Sequence, residues 1–329
     1  MSGAPALVLI DLQKAIDDPR WGARNHPHAE ARARRMLSLW RHLGWPLFHV
    51  RHDSQEPQST YRPGQPLHVF KPETAPAAGE TVLGKTTCNA FASTDLAERL
   101  RACEASRVFV CGVITNNSVE STVRAGGDLG FSMYLVEDAC FTFGKGRWTA
   151  QDVHEMSLAN LEGEYAAITT SARVVSGYLE NVFAAPAAER ALRAASLAKA
   201  ANATESTMLA ALLSGAGELL PAALPRALGF AEGVCSLVEQ RGETLRYLAA
   251  REATRRGLAA VEVLEVAQLG GPMSDHEAEV FSERAISFTL LRLRHFEEQA
   301  AKGGAPVPGF AAYRAAVETH LNGAPSQQA

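Results

Sequence analysis

The sequence predicts an α/β domain with a parallel, Rossmann-like, three-layer sheet, followed by an all-helical domain. Up to about residue 184, short apolar runs alternate with amphipathic segments of helical period. This alternation is typical of parallel strands joined by helices that cover both faces of the sheet. Beyond that point the periodic segments are helical, and AAPAA at 184–188 is the expected boundary. We therefore expect domains at 1–184 and 185–329, with a disordered tail from about 322.

Apolar runs in the first domain are predicted to be strands. The first, ALVLI at 6–10, is apolar throughout, as expected for a strand buried on both faces. The remaining strands are predicted at 46–52, 107–114, 132–139 and 165–175, and the helices at 28–44, 93–105, 117–130 and 149–164. Gly44 is expected to end the first helix, and Thr149 to open the last with a T-x-x-D capping box. The irregular, proline-rich stretch 53–80 has the length of a functional loop.

The composition and net charge of the chain argue against a nucleic-acid-binding, membrane-spanning or secreted protein. Of the 329 residues, 47% are hydrophobic and 21% are charged, the net charge is −4, and no basic stripe in the sequence suggests nucleic-acid binding. No apolar stretch reaches the roughly 18 residues of a membrane span, and MSGAPALVLI lacks the basic start of a signal peptide. The five cysteines are odd in number and show no pairing pattern. We therefore expect a reduced, cytoplasmic protein.

Residues 79–86, GETVLGKT, match the phosphate-binding pattern G-x-x-x-x-G-K-[ST]. A P-loop also needs a buried strand before its first glycine and a helix that begins at its Lys-Thr pair. KPETAPAA precedes Gly79 and TCNAFAST follows the match, and neither segment suits that arrangement. We therefore do not expect a nucleotide site here.

Three polar residues are expected to meet at the carboxyl edge of the sheet, where open parallel sheets bind ligands. Asp11 follows the first strand directly, and Ser118 follows the strand at 107–114 where a helix opens. Lys85 ends the long loop. An acid, a lysine and a small residue of the nucleophile type in one crevice form a recognisable constellation.

Four segments in chain order carry a family resemblance. They are VLIDLQ (8–13), LGKTTCNAFASTDLAERL (83–100), VFVCGVITNNSVESTVRAGGDLGFSMYLVEDAC (108–140) and VHEMSLANLEGEYAAI (153–168). Together they resemble the isochorismatase-like, or cysteine hydrolase, superfamily over roughly residues 5–183. The resemblance implies that Asp11 is a general base, Lys85 its electrostatic partner and residue 118 the nucleophile. It also implies an oxyanion hole made by the backbone N–H groups of Ile114 and Ser118, beside a cis peptide at Val113–Ile114.

The sequence departs from the family pattern at Ser118, where the family has cysteine. A thiol at a helix N-terminus beside a lysine ionises readily, whereas a serine hydroxyl needs a base to take its proton during attack. Three functions stay open. The first is hydrolysis of a C–N bond in a small amide, imide or ureide by an Asp-Lys-Ser triad. The second is nucleophile-free cleavage of a vinyl ether, as in isochorismatases, and the third is a non-catalytic binding or regulatory scaffold.

Further residues are candidates for the substrate pocket, each with a structural role as the alternative. They are Gln13, His52, Phe70, Asn117, Phe141 and Trp148. Lys71 is expected to be a surface charge, Asn116 a helix cap and Asp138 a structural residue. No role is predicted for the helical domain.

We expect no cofactor and no metal ion. The D-x-H pattern of metal-binding nicotinamidases is replaced by HDSQEP at 52–57, and His26 and His28 in NHPHAEAR are two residues apart, which is poor ligand geometry. The expected partner is a small-molecule substrate. The family resemblance also implies a homo-oligomer.

Overall fold

The computed structural model describes residues 3–217, 220–251, 257–258 and 260–323. The chain forms two compact units, Met1–Val175 and Ser176–Ala329. The division falls inside the helix Ser171–Phe183, whereas the sequence predicts the boundary just after that helix, at 184. From residue 324 on, the predicted disordered tail lies outside the described residues.

A sheet of parallel strands in the order β3-β2-β1-β4-β5-β6 forms the centre of the first unit. The strands are β1 (Ala6–Ile10), β2 (Leu47–His52), β3 (Thr81–Lys85), β4 (Arg107–Val113), β5 (Ser132–Phe141) and β6 (Ala166–Thr169). β1 is buried along its whole length, as its unbroken apolar run predicts. The chain runs outward from β1 to β3 and then returns to β4, so the strand order reverses between β1 and β4. Ligands of open α/β sheets bind at this switch point.

The helices that connect the strands lie on both faces of the sheet. They are α1 (Ala29–Leu43), α2 (Ala90–Ser93), α3 (Leu96–Ala102), α4 (Glu120–Asp128) and α5 (Ala150–Leu161). A further helix, α6 (Ser171–Phe183), follows β6. Because crossovers between parallel strands are right-handed, α1 covers one face and α2 to α5 cover the other. The predicted α/β fold is confirmed.

Local signals set the ends of two helices. Gly44, with a φ of 63°, ends α1 in the left-handed conformation that glycine adopts without a steric penalty. At the start of α5 the Thr149 side chain accepts from the Asp152 amide, and the Asp152 carboxylate accepts from the Thr149 amide. This is the capping box that the sequence predicts.

Two strand predictions differ from the structure. β3 was not predicted, because it is an edge strand that follows a proline-rich loop and has only Leu83 and Lys85 buried. The predicted strand at 165–175 ends at Thr169, and α6 begins at Ser171. The carboxylate of Asp138, in β5, accepts from the Ser171 amide at 2.7 Å and from its hydroxyl at 2.8 Å. Asp138 therefore has the predicted structural role, and the partner that fixes the start of α6 is remote in sequence.

The second unit is helical in its described parts, as predicted. Its helices are α7 (Glu189–Ala200), α8 (Glu205–Ser214), α9 (Leu224–Ala227), α10 (Glu232–Glu239), α11 (Arg241–Ala250), α12 (Ala260–Gln268), α13 (Asp275–Glu283), α14 (Ser287–Ala301) and α15 (Ala311–Asn322). α8 is buried over most of its surface and packs against α7, α10 and α14. Among the helices in the described ranges, none is both long and apolar enough to cross a membrane.

Candidate active site

Strand ends bring Asp11, Lys85 and Ser118 together at the carboxyl edge of the sheet. Asp11 follows β1 directly, Lys85 is the last residue of β3, and Ser118 lies in a π-helical turn, Thr115–Val119, between β4 and α4. Lys85 Nζ donates to Asp11 Oδ2 at 2.6 Å and to Ser118 Oγ at 3.2 Å. All three side chains are buried. The ammonium group therefore connects the acid and the hydroxyl across the switch point.

The segment GETVLGKT adopts a geometry that differs from a P-loop. A P-loop strand would end before Gly79, and its helix would begin at the Lys-Thr pair. Here β3 begins at Thr81 and ends at Lys85, and α2 begins only at Ala90. The lysine of this segment therefore lies at a strand end and pairs with Asp11.

The ends of β1 and β4, which lead to Asp11 and to the turn with Ser118, approach each other closely. Asp11 has a φ of 53°, its amide donates to Val50 O at 2.8 Å, and Tyr61 Oη donates to its carbonyl at 3.3 Å. Gly112 has a φ of 126°, and a Cβ at this position would lie 2.1 Å from Ile10 O. Only glycine therefore fits where β4 passes β1. A cis peptide joins Val113 to Ile114, at the position the sequence predicts.

Burial raises the pKa of the Asp11 carboxyl to about 6, even though the neighbouring Lys85 ammonium lowers it. Desolvation disfavours the charged form of a carboxyl, and an adjacent cation favours it, so these two effects oppose each other. Asp11 Oδ1 is buried and has no hydrogen-bond partner among the described residues. Asp11 can thus change its protonation state near neutral pH, and one of its oxygens is available to accept a proton.

His52 ends β2 between the strands that supply Lys85 and Asp11, and its Nδ1 lies 3.5 Å from Lys85 Nζ. Burial and then the charge of Lys85 lower the pKa of His52 to about 4. The ring is therefore neutral at pH 7, and its Nδ1 can accept from the ammonium group. Lys85 Nζ also donates to Thr87 O at 3.1 Å.

The side-chain amide of Gln13 makes hydrogen bonds with backbone groups of other residues. Its Nε2 donates to His68 O at 2.7 Å and to His52 O at 3.2 Å, and its Oε1 accepts from the His52 amide at 2.7 Å. Gln13 therefore positions the end of β2, and both of its amide hydrogens are used without a substrate. Phe70 is half-buried, its backbone pairs with that of Gln13 in an isolated bridge, and its ring centre lies 5.9 Å from that of His49.

The three remaining candidates for the substrate pocket, and the predicted helix cap Asn116, have different surroundings. Asn117 is exposed in the turn that holds Ser118, and Trp148 is half-exposed. Phe141 is fully buried, and the Arg24 guanidinium lies 4.0 Å from its ring centre, so its predicted contact with substrate is replaced by a role in the core. Asn116 does not cap a helix as predicted, because its Oδ1 accepts from Thr142 Oγ1 at 2.6 Å and ties the turn to the end of β5.

Sequence reasoning missed two residues of this region. Tyr61 lies in the long loop, and its contact with the Asp11 carbonyl has no sequence signal. Lys71, predicted to be a surface charge, is buried and donates to Asp17 Oδ1 at 2.6 Å and to Glu30 Oε1 at 2.7 Å. The prediction for Lys71 is therefore wrong, because the two carboxylates that stabilise its charge are 54 and 41 residues away.

A family model described as the isochorismatase domain matches residues 5–173, which is just over half of the 329-residue chain. The chain belongs to the isochorismatase family. Relatives of the chain include a streptothricin hydrolase and a maleamate amidohydrolase. The family predicted from the four sequence segments is confirmed, and so is the prediction of a hydrolase.

Three relatives show how far the likeness to this family extends. YrdC, an uncharacterized isochorismatase family protein from Bacillus subtilis (strain 168), is 34% identical over 185 residues, which cover 55% of this chain and 99% of YrdC. The maleamate amidohydrolase of Pseudomonas putida is 26% identical over 184 residues, which cover 50% of this chain and 83% of that enzyme. A solved isochorismatase-family structure from Chromobacterium violaceum ATCC 12472 is 54% identical, covers 53% of this chain and 92% of its own, and has a TM-score of 0.52.

Proposed function

We propose that the chain hydrolyses a C–N bond of a small amide, imide or ureide with Asp11, Lys85 and Ser118. The observation that carries this proposal is the position of Lys85 Nζ, within hydrogen-bond distance of both the Asp11 carboxylate and the Ser118 hydroxyl in a buried site. A hydroxyl nucleophile is activated by an adjacent base and by a cation that stabilises the developing alkoxide. The amidohydrolase among the relatives supports a C–N bond as the target.

In the proposed reaction the Asp11 carboxylate takes the Ser118 hydroxyl proton while Oγ attacks the substrate carbonyl carbon. The backbone N–H groups of Ile114 and Ser118 stabilise the tetrahedral oxyanion. The intermediate collapses, and Asp11 returns the proton to the leaving nitrogen, which yields an amine and an ester on Ser118. Asp11 then deprotonates a water molecule that attacks the ester. The acid leaves, and Ser118 regains its proton from Asp11.

A second function is supported by the raised pKa of Asp11. A carboxyl with a pKa of about 6 is protonated often enough near neutral pH to donate a proton to a vinyl ether. In that reaction Ser118 does not form a covalent bond. The two functions therefore differ in the protonation state of Asp11 that is active.

The test compares ammonia release and product mass for a panel of amides, ureides and a vinyl ether. The chains are wild type, Asp11→Asn, Ser118→Ala, Ser118→Cys and, as a matched control, Ser132→Ala, which removes an exposed hydroxyl at the start of β5. The triad predicts that Asp11→Asn and Ser118→Ala lose at least about 100-fold in kcat and that Ser132→Ala does not. Activity of Ser118→Ala on the vinyl ether alone would favour the second function. Activity of Ser118→Cys alone would indicate a binding protein on the hydrolase fold.

The expected cytoplasmic location and homo-oligomeric state stay predictions. Among the described residues the five cysteines are free, and three of them are buried, which agrees with a reducing environment.

A further inference from the structure

His26, Glu137 and His154 meet on the first unit, although they come from separate segments. His26 lies in the loop before α1, Glu137 lies in β5 and His154 lies in α5. One potential ligand atom from each of the three lies within 4.8 Å of the other two. His154 Nε2 is 3.6 Å from Glu137 Oε2, and the two imidazole ring centres are 4.6 Å apart.

Each of the two imidazoles makes a hydrogen bond through its Nδ1. His26 Nδ1 lies 2.9 Å from Cys140 O, and because a carbonyl only accepts, this nitrogen carries the proton. His154 Nδ1 lies 2.9 Å from Thr115 Oγ1, and a hydroxyl can either accept from this nitrogen or donate to it. In the tautomer in which His154 Nδ1 donates to Thr115, its Nε2 carries the lone pair, as the Nε2 of His26 does. Metal-binding histidines have this arrangement, with the other ring nitrogen donating to an oxygen of the protein.

His154 Nε2 is fully buried, and among the described residues it has no hydrogen-bond partner. Its distance of 3.6 Å from Glu137 is too long for a hydrogen bond. A buried polar nitrogen without a partner costs free energy, and buried polar groups are normally paired. The atom therefore points at a partner that the side chains alone do not supply.

The backbone holds His26 in a particular orientation. His26 has a φ of 42°, in the left-handed region that only a few per cent of non-glycine residues adopt. The preceding residue, Asn25, anchors the loop, because its Oδ1 accepts from the Thr142 amide at 2.8 Å. His26 also lines a cavity of about 680 Å³ that opens to solvent, and the Glu137 side chain is 29% exposed, so the cluster is accessible from solvent at two of its three residues.

We propose that His26, Glu137 and His154 bind a divalent transition-metal ion of the zinc type. Two imidazole nitrogens and one carboxylate oxygen are a known Zn²⁺ ligand set that leaves a fourth position for water. Zinc–ligand bonds of about 2.0–2.1 Å in a tetrahedron place ligand atoms about 3.4 Å apart, close to the observed 3.6 Å between His154 and Glu137. The cation also balances the charge of the Glu137 carboxylate, which interacts with both histidines of the cluster and with Arg32.

The site would act on the neighbouring turn through Thr115. Thr115 begins the π-helical turn that carries Ser118, and its hydroxyl contacts the imidazole of His154. An ion on Nε2 fixes Nδ1 as the donor to Thr115 and joins the loop before α1 to β5 and α5. We therefore assign the ion a role in holding the turn, and this role does not depend on the reaction that the chain catalyses.

The test is a titration of the chelator-treated, full-length chain with Zn²⁺, followed by calorimetry and by thermal unfolding. Glu137→Gln removes the charge with little change in shape. His26→Asn removes the imidazole and keeps a residue that tolerates the left-handed backbone. The matched control is His28→Asn, which removes a histidine from the same NHPH segment but outside the cluster.

Wild type and His28→Asn are expected to bind one Zn²⁺ per chain and to gain thermal stability from it. Both cluster variants, folded by circular dichroism, should bind at least about 10-fold more weakly. The proposal is overturned if wild type binds no Zn²⁺ at micromolar concentrations, or if the cluster variants bind like wild type. A thiolate charge-transfer band in the Co²⁺-loaded wild type would also overturn it, because it would place the metal on cysteine.

Discussion

The buried carboxyl of Asp11 leads to a prediction about stability as a function of pH. Its pKa is raised from 3.8 to about 6 by burial, so the folded state holds the proton more tightly than the unfolded state. The stabilisation from this proton is complete below about pH 4 and is lost as the pH rises through 6. Two pKa units at about 1.4 kcal/mol each correspond to a loss of about 3 kcal/mol.

Asp11→Asn isolates this effect, because asparagine resembles the neutral form of the residue and does not titrate. Urea unfolding at pH 4 should give wild type and variant similar free energies of unfolding. At pH 8 the variant should be the more stable by about 3 kcal/mol, since wild type then carries a buried carboxylate. The titration of His52 is present in both chains and cancels in the difference. A difference that does not change with pH, or that favours wild type at pH 8, would refute the reasoning.

Three other predictions concern the same crevice. Gly112→Ala should lower the free energy of unfolding by more than about 2 kcal/mol, because the added Cβ would meet the Ile10 carbonyl. The control is Gly177→Ala, because a Cβ added at Gly177 in α6 would meet open space and should not cause this loss. Equal effects of the two substitutions in urea unfolding would contradict this account. Gln13→Leu should cost about 2–3 kcal/mol by the same measurement, because three backbone hydrogen bonds are lost, and an unchanged midpoint would show that the amide is dispensable. For a C–N substrate, kcat/KM should rise with pH through about 6 as Asp11 ionises, while a fall over that range would assign Asp11 as an acid.

Much of the crevice follows from the sequence because its parts are local. Asp11 follows an unbroken apolar run, and Ser118 follows another at the opening of a helix. Parallel strands place such ends at one edge, so both residues could be assigned without coordinates. Lys85 lies at this edge as expected from its position at the end of the long loop, although the edge strand that carries it, β3, was not predicted.

The remaining features depend on contacts between residues that are far apart in the chain. From the sequence alone, Lys71 is expected to be a surface residue. Its burial is explained only by the structure, in which Asp17 and Glu30 pair with its ammonium group. His26 and His28 make a poor metal site by spacing, yet His26 meets Glu137 and His154, which are more than 100 residues away. Periodicity and composition describe neighbours along the chain, so neither can show a cluster of this kind.

The central claim is that Ser118 becomes acylated while Lys85 and Asp11 hold and activate it. The most direct measurement is the intact mass of the chain, quenched in acid during turnover of an amide that it accepts, followed by peptide mapping. The account predicts a mass increase equal to the acyl group, located on the peptide that contains Ser118 and absent from Ser118→Ala. Turnover by a Ser118→Ala chain at the wild-type rate, with no adduct on either chain, would contradict it.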